Sequence, residues 1–268
     1  MRIGNREFDV QNKTYIMGIL NVTPDSFSDG GKWNILDAAI KHTEDMINEG
    51  VDIIDVGGES TRPGHVKITV EEEISRVVPV IKAIKERFDV PVSIDSYKGE
   101  VVKAALMAGA DMVNDVWGFK ADKEVARLTA EYGVPCCLMH NRDNTEYADF
   151  VEDMISDLKE SIDIAKEAGV ADDKIIVDPG VGFGKEYEHN LIAINRVEEL
   201  HRLGYPVLLA TSRKSVIGTA LDLPKDERVE GTLVTTVMGV MKGCAFVRVH
   251  DIKENKRAID MTRAILGR

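Results

Sequence analysis

Acidic, amide and basic side chains recur along the chain at the ends of short apolar runs. These strand-end residues are Asn21, Asp55, Asp95, Asn114, Asp178, Lys214, Arg248 and His250. Fixed carboxylates and amides can pair with the N–H groups of a flat heterocycle, and clustered cations can hold an anion. A buried, unpaired acid costs roughly several kcal/mol, so each must find a donor. The pattern predicts one polar site, although a structural bond to a loop amide is the alternative for any single residue.

Eight apolar runs alternate with segments of helical spacing. The runs cover residues 15–20, 51–54, 90–94, 112–113, 134–139, 175–177, 207–210 and 244–247. The helical segments cover residues 36–48, 70–87, 99–107, 123–132, 149–168, 188–203, 227–241 and 254–266. This order predicts an α/β fold, a (β/α)8 TIM barrel with its active site at the C-terminal rim of the strands. The length fits one such barrel, so we expect a single domain over residues 1–268.

The first residues stand outside the repeat. Turn residues such as Gly4 and Asn5 occur within residues 2–12, which predicts a short N-terminal hairpin covering the lower mouth of the barrel. Helix ends are also marked, because Thr69 and Glu72 have capping-box spacing. Glycines follow six helical segments, at Gly50, Gly109, Gly133, Gly169, Gly204 and Gly267.

Composition narrows the class of protein. A formal net charge of -12 and a pI near 5.0 disfavour a nucleic-acid surface, which needs a clustered basic face. Cys136, Cys137 and Cys244 lie in apolar runs, as buried reduced thiols do. No apolar stretch approaches the ~18 residues of a membrane span, and residues 1–10 lack a signal-peptide core. We therefore expect a cytoplasmic protein that does not enter a membrane.

Two polar loops follow the first and second runs. They cover residues 21–31 (NVTPDSFSDGG) and 57–64 (GGESTRPG). Loops rich in glycine, serine and charge at the top of a barrel are typical of segments that close over a ligand. A solvated surface loop is the alternative.

Seven motifs resemble the dihydropteroate synthase family. They are residues 21–31 (NVTPDSFSDGG), 55–64 (DVGGESTRPG), 93–96 (SIDS), 114–118 (NDVWG), 178–184 (DPGVGFG), 212–215 (SRKS) and 248–250 (RVH). The match spans essentially the whole chain. The resemblance implies the joining of 6-hydroxymethyl-7,8-dihydropterin diphosphate to p-aminobenzoate in folate biosynthesis, with Mg2+ as cofactor and sulfonamides as inhibitors. It also implies a homodimer, for which residues 227–241 and 254–266 are candidate interfaces.

The resemblance assigns roles by position. The pterin pocket that it implies consists of Asp95, Asn114, Met139, Asp178, Phe183 and Lys214. The p-aminobenzoate pocket that it implies consists of Phe27, Thr61, Arg62, Pro63 and Ser215. The residues that resemble the diphosphate site of the family are Asn21, Arg248 and His250, and Asn21 also resembles its Mg2+ contact. Mg2+ can be bound by one amide oxygen, phosphate oxygens and waters, so it needs no cage of carboxylates. A strand-end methionine is as often simply core, and His250 can instead be a structural loop residue.

The mechanism follows partly from what the sequence lacks. No nucleophile with an adjacent base is evident, so direct displacement is favoured over a covalent intermediate. The resemblance implies SN1-like displacement, in which Mg2+ and the anion-site residues stabilise the leaving pyrophosphate. The implied catalytic residues are Asp95, Asp178, Lys214, Asp29 and Arg62. Asp29 and Arg62 can pair with each other or shield the intermediate.

Three other functions share parts of the pattern. They are a pterin-binding methyltransferase on the same barrel, a non-catalytic pterin-binding paralogue, and an unrelated phosphate-binding barrel. The first would not need the two loops or Lys214 and Ser215 in this form, and the second would be expected to have lost site residues. The glycine-rich segment 180–185 is not a Walker A loop, because Glu186 stands where that loop needs Ser or Thr.

Overall fold

A computed structural model describes residues 1–23, 32–60 and 67–267 of the chain. It opens with an antiparallel hairpin of β1 (Arg2–Ile3) and β2 (Arg6–Glu7). Eight strands follow: β3 (Tyr15–Asn21), β4 (Ile53–Gly57), β5 (Val92–Asp95), β6 (Met112–Asp115), β7 (Cys136–Met139), β8 (Ile175–Asp178), β9 (Leu208–Leu209) and β10 (Phe246–Val249). They pair in parallel in the order β8-β7-β6-β5-β4-β3-β10-β9. A bridge between Val177 and Val207 joins the two outer strands, so the barrel prediction is confirmed.

Helices lie between the strands, as expected. Their bounds are α1 (Lys32–Glu49), α2 (Val70–Arg87), α3 (Gly99–Met107), α4 (Lys123–Tyr132), α5 (Phe150–Glu167), α6 (Tyr187–Asn195), α7 (Ser215–Leu221), α8 (Val229–Met241) and α9 (Ile252–Leu266). The Thr69 N-cap is confirmed at the start of α2, where the Thr69 hydroxyl accepts from the amide of Glu72 at 3.2 Å. The Glu72 carboxylate accepts from Arg76 Nη2. The predicted glycine stop is confirmed after α4, where Gly133 has φ 61°.

One predicted helix is two elements. Segment 188–203 divides into α6 and a 3-10 helix over Val197–Leu203. In that second part the buried residues Val197 and Leu200 are three positions apart. Three residues per turn is the 3-10 period, so the tighter winding keeps both side chains on the core.

The hairpin closes the lower end of the barrel. Ile3 and Phe8 are buried against the inward residues at the starts of the strands. These inward residues are Met17, Ile53, Met112, Cys137, Ile176, Leu208 and Phe246. The Phe8 ring lies 4.8 Å from Tyr15 and 5.9 Å from Phe246, measured between centroids. The prediction that the hairpin covers the lower mouth is therefore confirmed.

The remaining core lies between the strands and the helices. In α2 the buried residues Val77, Ile81 and Ile84 recur every three or four positions and face the sheet. Cys136, Cys137 and Cys244 are buried free thiols, as predicted, and burial raises the pKa of Cys244 to about 12. Within the described ranges, no helix combines the length and hydrophobicity that crossing a bilayer requires.

Candidate active site

The upper end of the barrel collects polar side chains from four strands, three of them neighbours. Asp55 of β4, Asp95 of β5, Asn114 of β6 and Asp178 of β8 are each at most 6% exposed. Asp95 is in register with Asn114, so their side chains lie side by side. These positions converge because the C-terminal ends of parallel strands form one rim.

Arg248 of β10 joins this group from across the barrel. Its Nε donates to Asp55 Oδ2 at 2.6 Å, and its Nη2 donates to Asp95 Oδ2 at 2.6 Å. Asp55 Oδ2 also accepts from Asn114 Nδ2 at 3.0 Å. Burial raises the pKa of Asp95 to about 7, although Arg248 opposes the shift. One guanidinium therefore bridges two buried carboxylates at the centre of the rim.

Three buried oxygen atoms at this rim have no hydrogen-bond partner among the described residues. They are Asp55 Oδ1, Asp95 Oδ1 and Ser93 Oγ. Each buried unsatisfied acceptor costs about 1–3 kcal/mol. Such a concentration is typical of a binding site, because a ligand that carries N–H donors removes the penalty.

A second group lies at β8 and the loop that follows it. Asp178 Oδ1 accepts from the amide of Gly180 at 2.7 Å, and Lys214 Nζ donates to the Val181 carbonyl. The Lys214 ammonium lies 4.9 Å from the centroid of Phe183. Burial lowers the pKa of Lys214 to about 8, and Asp178 opposes the shift. The arrangement places a cation, an acid and an aromatic face beside each other.

His250 lies beyond β10, which ends at Val249. Arg248 and His250 are two positions apart in the sequence, which predicts that they share one face of a strand. This prediction is wrong for His250. Ser212 explains its position, because the Ser212 hydroxyl accepts from the His250 amide at 3.2 Å and lies 3.0 Å from His250 Nδ1. The two contacts hold the imidazole beside Ser212.

The structure describes three of the other predicted site residues. Asn21 ends β3, and a Cβ on Gly57 would lie 3.6 Å from both Asn21 Oδ1 and Asp95 Oδ2. Met139 is buried in register with Asp178, and Ser215 is the exposed first residue of α7. The remaining predicted residues lie outside the described part of the chain: Phe27, Asp29, Thr61, Arg62 and Pro63.

Two residues escaped the sequence-based assignment of roles. Asp55 ends its run as the others do, yet only the structure shows that it holds both Asn114 and Arg248. Glu59 is buried beyond β4, where it accepts from Tyr97 Oη at 2.9 Å, from Lys98 Nζ at 2.7 Å and from the Ile68 amide at 3.0 Å. These contacts brace the base of the second polar loop, and nothing local in the sequence reveals them.

Comparisons with known proteins agree with this geometry. A family model described as pterin binding enzyme matches residues 17–250. The dihydropteroate synthase of Clostridium beijerinckii is 64% identical over 100% of both chains. The dihydropteroate synthase of Clostridium difficile, solved with pteroic acid, is 53% identical, covers 97% of this chain and 99% of its own, and has a TM-score of 0.94.

A third relative was solved with 4-aminobenzoic acid, which is one of the two parts of pteroic acid. The Xanthomonas albilineans dihydropteroate synthase with 4-aminobenzoic acid is 38% identical, covers 96% of this chain and 95% of its own, and has a TM-score of 0.92. Full-length similarity at these identities extends over the fold and over all the strand ends described above. The chain therefore belongs to the pterin-binding enzyme family, among the dihydropteroate synthases.

Proposed function

We propose that this protein condenses 6-hydroxymethyl-7,8-dihydropterin diphosphate with p-aminobenzoate to give 7,8-dihydropteroate and pyrophosphate. The observation that carries the proposal is the buried set of Asp95, Asn114 and Asp178 at the barrel rim, where Asp95 Oδ1 has no hydrogen-bond partner among the described residues. The relatives solved with pteroic acid and with 4-aminobenzoic acid support both halves of the product.

The pterin fits the upper interior of the barrel. Its ring N–H groups need acceptors, which the Asp95 and Asp178 carboxylates supply, and the Asn114 amide offers one acceptor and one further donor. Lys214 can donate to the ring carbonyl or to N5. Phe183 and Met139 provide the apolar surfaces that flank the ring faces.

The diphosphate fits beside Arg248, His250 and Asn21. A guanidinium has five N–H donors, so Arg248 can hold a phosphate oxygen while it remains paired with a carboxylate. His250 is anchored through Ser212 rather than through the strand. This anchoring keeps its ring at the rim, where a diphosphate group would emerge from the barrel.

The donor chemistry at Asn21 fits Mg2+. The Asn21 amide oxygen lies close to the same point above Gly57 as Asp95 Oδ2 does, and hard oxygen ligands suit this ion. No cluster of three or more His, Cys, Asp or Glu residues able to hold a metal occurs in the described ranges. Asn21 would therefore hold Mg2+ together with phosphate oxygens and waters. When bound, the ion would neutralise charge on the diphosphate.

The reaction breaks the bond between the pterin methylene carbon and the diphosphate oxygen, whose electrons leave with pyrophosphate. Arg248 and His250 stabilise the negative charge that grows there. Asp95 and Asp178 stabilise the positive charge that grows on the pterin. The amine nitrogen of p-aminobenzoate then forms the new C–N bond and loses a proton. We assign the p-aminobenzoate pocket to Phe27, Thr61, Arg62, Pro63 and Ser215, with Asp29 and Arg62 as catalytic loop residues.

We also propose that the protein is a homodimer. An apolar groove of about 420 Å³ lies between α6 and α8 and is lined by Leu191, Ile192, Val234 and Met238. Val234 is 61% exposed, and Met241 at the end of α8 is 59% exposed. A second copy of the chain would cover this surface, and sedimentation equilibrium tests the proposal. The cytoplasmic location and the sensitivity to sulfonamides stay predictions.

The proposed reaction is tested by pyrophosphate release. The purified protein is given 6-hydroxymethyl-7,8-dihydropterin diphosphate and Mg2+, with and without p-aminobenzoate, and dihydropteroate is identified by mass. Release of pyrophosphate with formation of the condensed product is expected. Tight pterin binding without product would contradict the synthase activity and favour a non-catalytic protein or a methyltransferase.

A further inference from the structure

The loop after β8 is held at nearly every carbonyl. Lys185 Nζ donates to the carbonyl oxygen of Gly180 at 3.0 Å and to that of Phe183 at 2.9 Å. Tyr147 Oη donates to the Gly184 carbonyl at 2.6 Å. Residues 180–184 include Phe183, and the segment begins two positions after Asp178. The conformation of this loop therefore decides where two residues of the pterin pocket stand.

Lys185 is connected to a chain of side chains behind the pocket. Its Nζ lies 2.7 Å from His140 Nδ1, and His140 Nε2 lies 2.9 Å from Asp157 Oδ2. Burial lowers the pKa of His140 to about 4, so the neutral ring accepts from Lys185 and donates to Asp157. Arg142 Nε also donates to Asp157. Burial lowers the pKa of Lys185 to about 7. Its amino group is thus linked through one imidazole to a carboxylate outside the barrel.

Gly180 connects the hydrogen-bonded side chains Lys185, His140 and Asp157 to the pterin pocket. Its N–H donates to Asp178 Oδ1 at 2.7 Å, and its carbonyl accepts from Lys185. Gly180 has φ 67°, and a Cβ there would lie 1.9 Å from the His140 carbonyl oxygen, so no other residue fits. The two peptide units meet at the Gly180 Cα, so the contact of the carbonyl with Lys185 helps to hold the N–H that orients Asp178.

We propose that Lys185 is a positioning residue of the pterin pocket, which holds the Gly180–Phe183 segment so that Asp178 and Phe183 keep their places. The inference rests on the proposed function, because it concerns the pterin site of that reaction. Lys185 contacts neither substrate and acts through the loop. His140 and Asp157 hold the Lys185 amino group in place on the side away from the pocket.

A merely structural lysine would behave differently from a positioning one. Removing the amino group leaves the Gly180 and Phe183 carbonyls and His140 Nδ1 without this donor, which lowers stability, so the Tm of each variant is measured beside its binding. A Lys185→Met variant removes the three donor contacts but retains most of the stem. If the lysine positions the loop, pterin binding falls while the fold persists, and p-aminobenzoate binding is spared because its pocket lies on other loops.

The experiment compares the wild type with Lys185→Met, Asp157→Asn and the control Lys85→Met. Lys85 also pairs with a carboxylate, Asp111, at 2.7 Å, but at the lower end of the barrel. Hydrogen–deuterium exchange of residues 179–186 is measured on the ligand-free full chain. KM values for both substrates and the Kd for pteroic acid are measured with the same proteins.

We expect Lys185→Met to raise the pterin KM and the pteroic acid Kd about tenfold and the p-aminobenzoate KM less than about twofold. Exchange at residues 180–184 should accelerate. Asp157→Asn should weaken pterin binding and accelerate exchange at residues 180–184 by smaller factors. If Lys185→Met does not fold, Asp157→Asn tests the proposal in its place. Lys85→Met should match the wild type in every substrate readout.

Two results would overturn the proposal. One is exchange in the loop and a pterin KM that match those of Lys85→Met. The other is an equal rise in both KM values with a lower Tm, which would indicate general destabilisation. Failure of the proposed function is a separate outcome, since a wild type that forms no dihydropteroate still reports loop exchange and pteroic acid binding.

Discussion

The two ends of this barrel are built from the same strands and have opposite chemistry. Four strands carry an apolar inward residue in the lower layer and a polar inward residue two positions later. The pairs are Ile53 and Asp55, Met112 and Asn114, Ile176 and Asp178, and Phe246 and Arg248. Alternate residues of a strand share a face, so one step of two residues moves from core to site.

The difference teaches where stability and function reside. The lower layer is sealed by Ile3 and Phe8 of the N-terminal segment. The upper layer buries two carboxylates that each have one oxygen without a hydrogen-bond partner in the described part of the chain, Asp55 Oδ1 and Asp95 Oδ1. Substitutions in the upper layer should therefore weaken ligand binding and leave the stability of the fold unchanged. Substitutions in the lower layer should lower the stability and leave ligand binding unchanged.

The largest effect on binding is expected for Asp178→Asn. Removing one partner of a buried charged contact costs about 4 kcal/mol, so the Kd for pteroic acid should rise about a thousandfold. The Tm should stay the same or rise, because burial raises the pKa of Asp178 and thus disfavours its charge. Titration calorimetry and thermal unfolding check both. A Kd within threefold of wild type would remove Asp178 from the site.

Phe8→Ala reverses the comparison at the lower end. Phe8 is 4% exposed and contacts two aromatic rings, so its loss should lower the free energy of unfolding by about 3 kcal/mol. The Kd for pteroic acid should remain within about twofold of wild type. Urea unfolding followed by calorimetry on the folded variant checks this. A large loss of affinity at unchanged stability would contradict the division between the two ends.

Lys214 should give the upper layer a pH signature. Burial lowers its pKa to about 8, whereas the unfolded lysine titrates near 10.5. Between these values the unfolded chain binds more protons, so the free energy of unfolding rises with pH. Relative to Lys214→Met, the wild type should gain roughly 2 kcal/mol between about pH 7.5 and 9.5. Urea titrations of both proteins at each pH subtract the contributions that Asp178, Arg248 and Asp95 make to both. A difference in the free energy of unfolding that does not change with pH would count against a buried Lys214 ammonium.

Ser215→Ala should have the smallest effect. Ser215 is exposed at the start of α7, and one hydrogen bond to a carboxylate contributes about 1 kcal/mol. The KM for p-aminobenzoate should rise about threefold to fivefold, and the KM for the pterin substrate should not change. Steady-state kinetics with each substrate varied in turn checks this. The reverse ordering would remove Ser215 from the carboxylate site.

The sequence predicts the features that repeat locally. Periodicity and caps predict the bounds of α2, α3 and α4 as the structure has them, and strand ends predict Asp95, Asn114 and Asp178 at one rim. Lys185 could not be predicted, because its partner His140 is 45 residues away, and the only sequence-based conclusion on its segment was that it is not a Walker A loop. Asp55 looked like its neighbours, and its contacts with Asn114 and Arg248 exist only once the barrel closes.

The most direct test of the central claim is a crystal structure of the protein with pteroic acid. The account predicts the pterin ring inside the upper barrel, with its N–H groups on Asp95, Asn114 and Asp178 and its face against Phe183. The account also predicts that the bound ring supplies a donor to Asp95 Oδ1, which has no partner among the described residues. A ring bound outside the barrel, with these carboxylates untouched, would contradict the account.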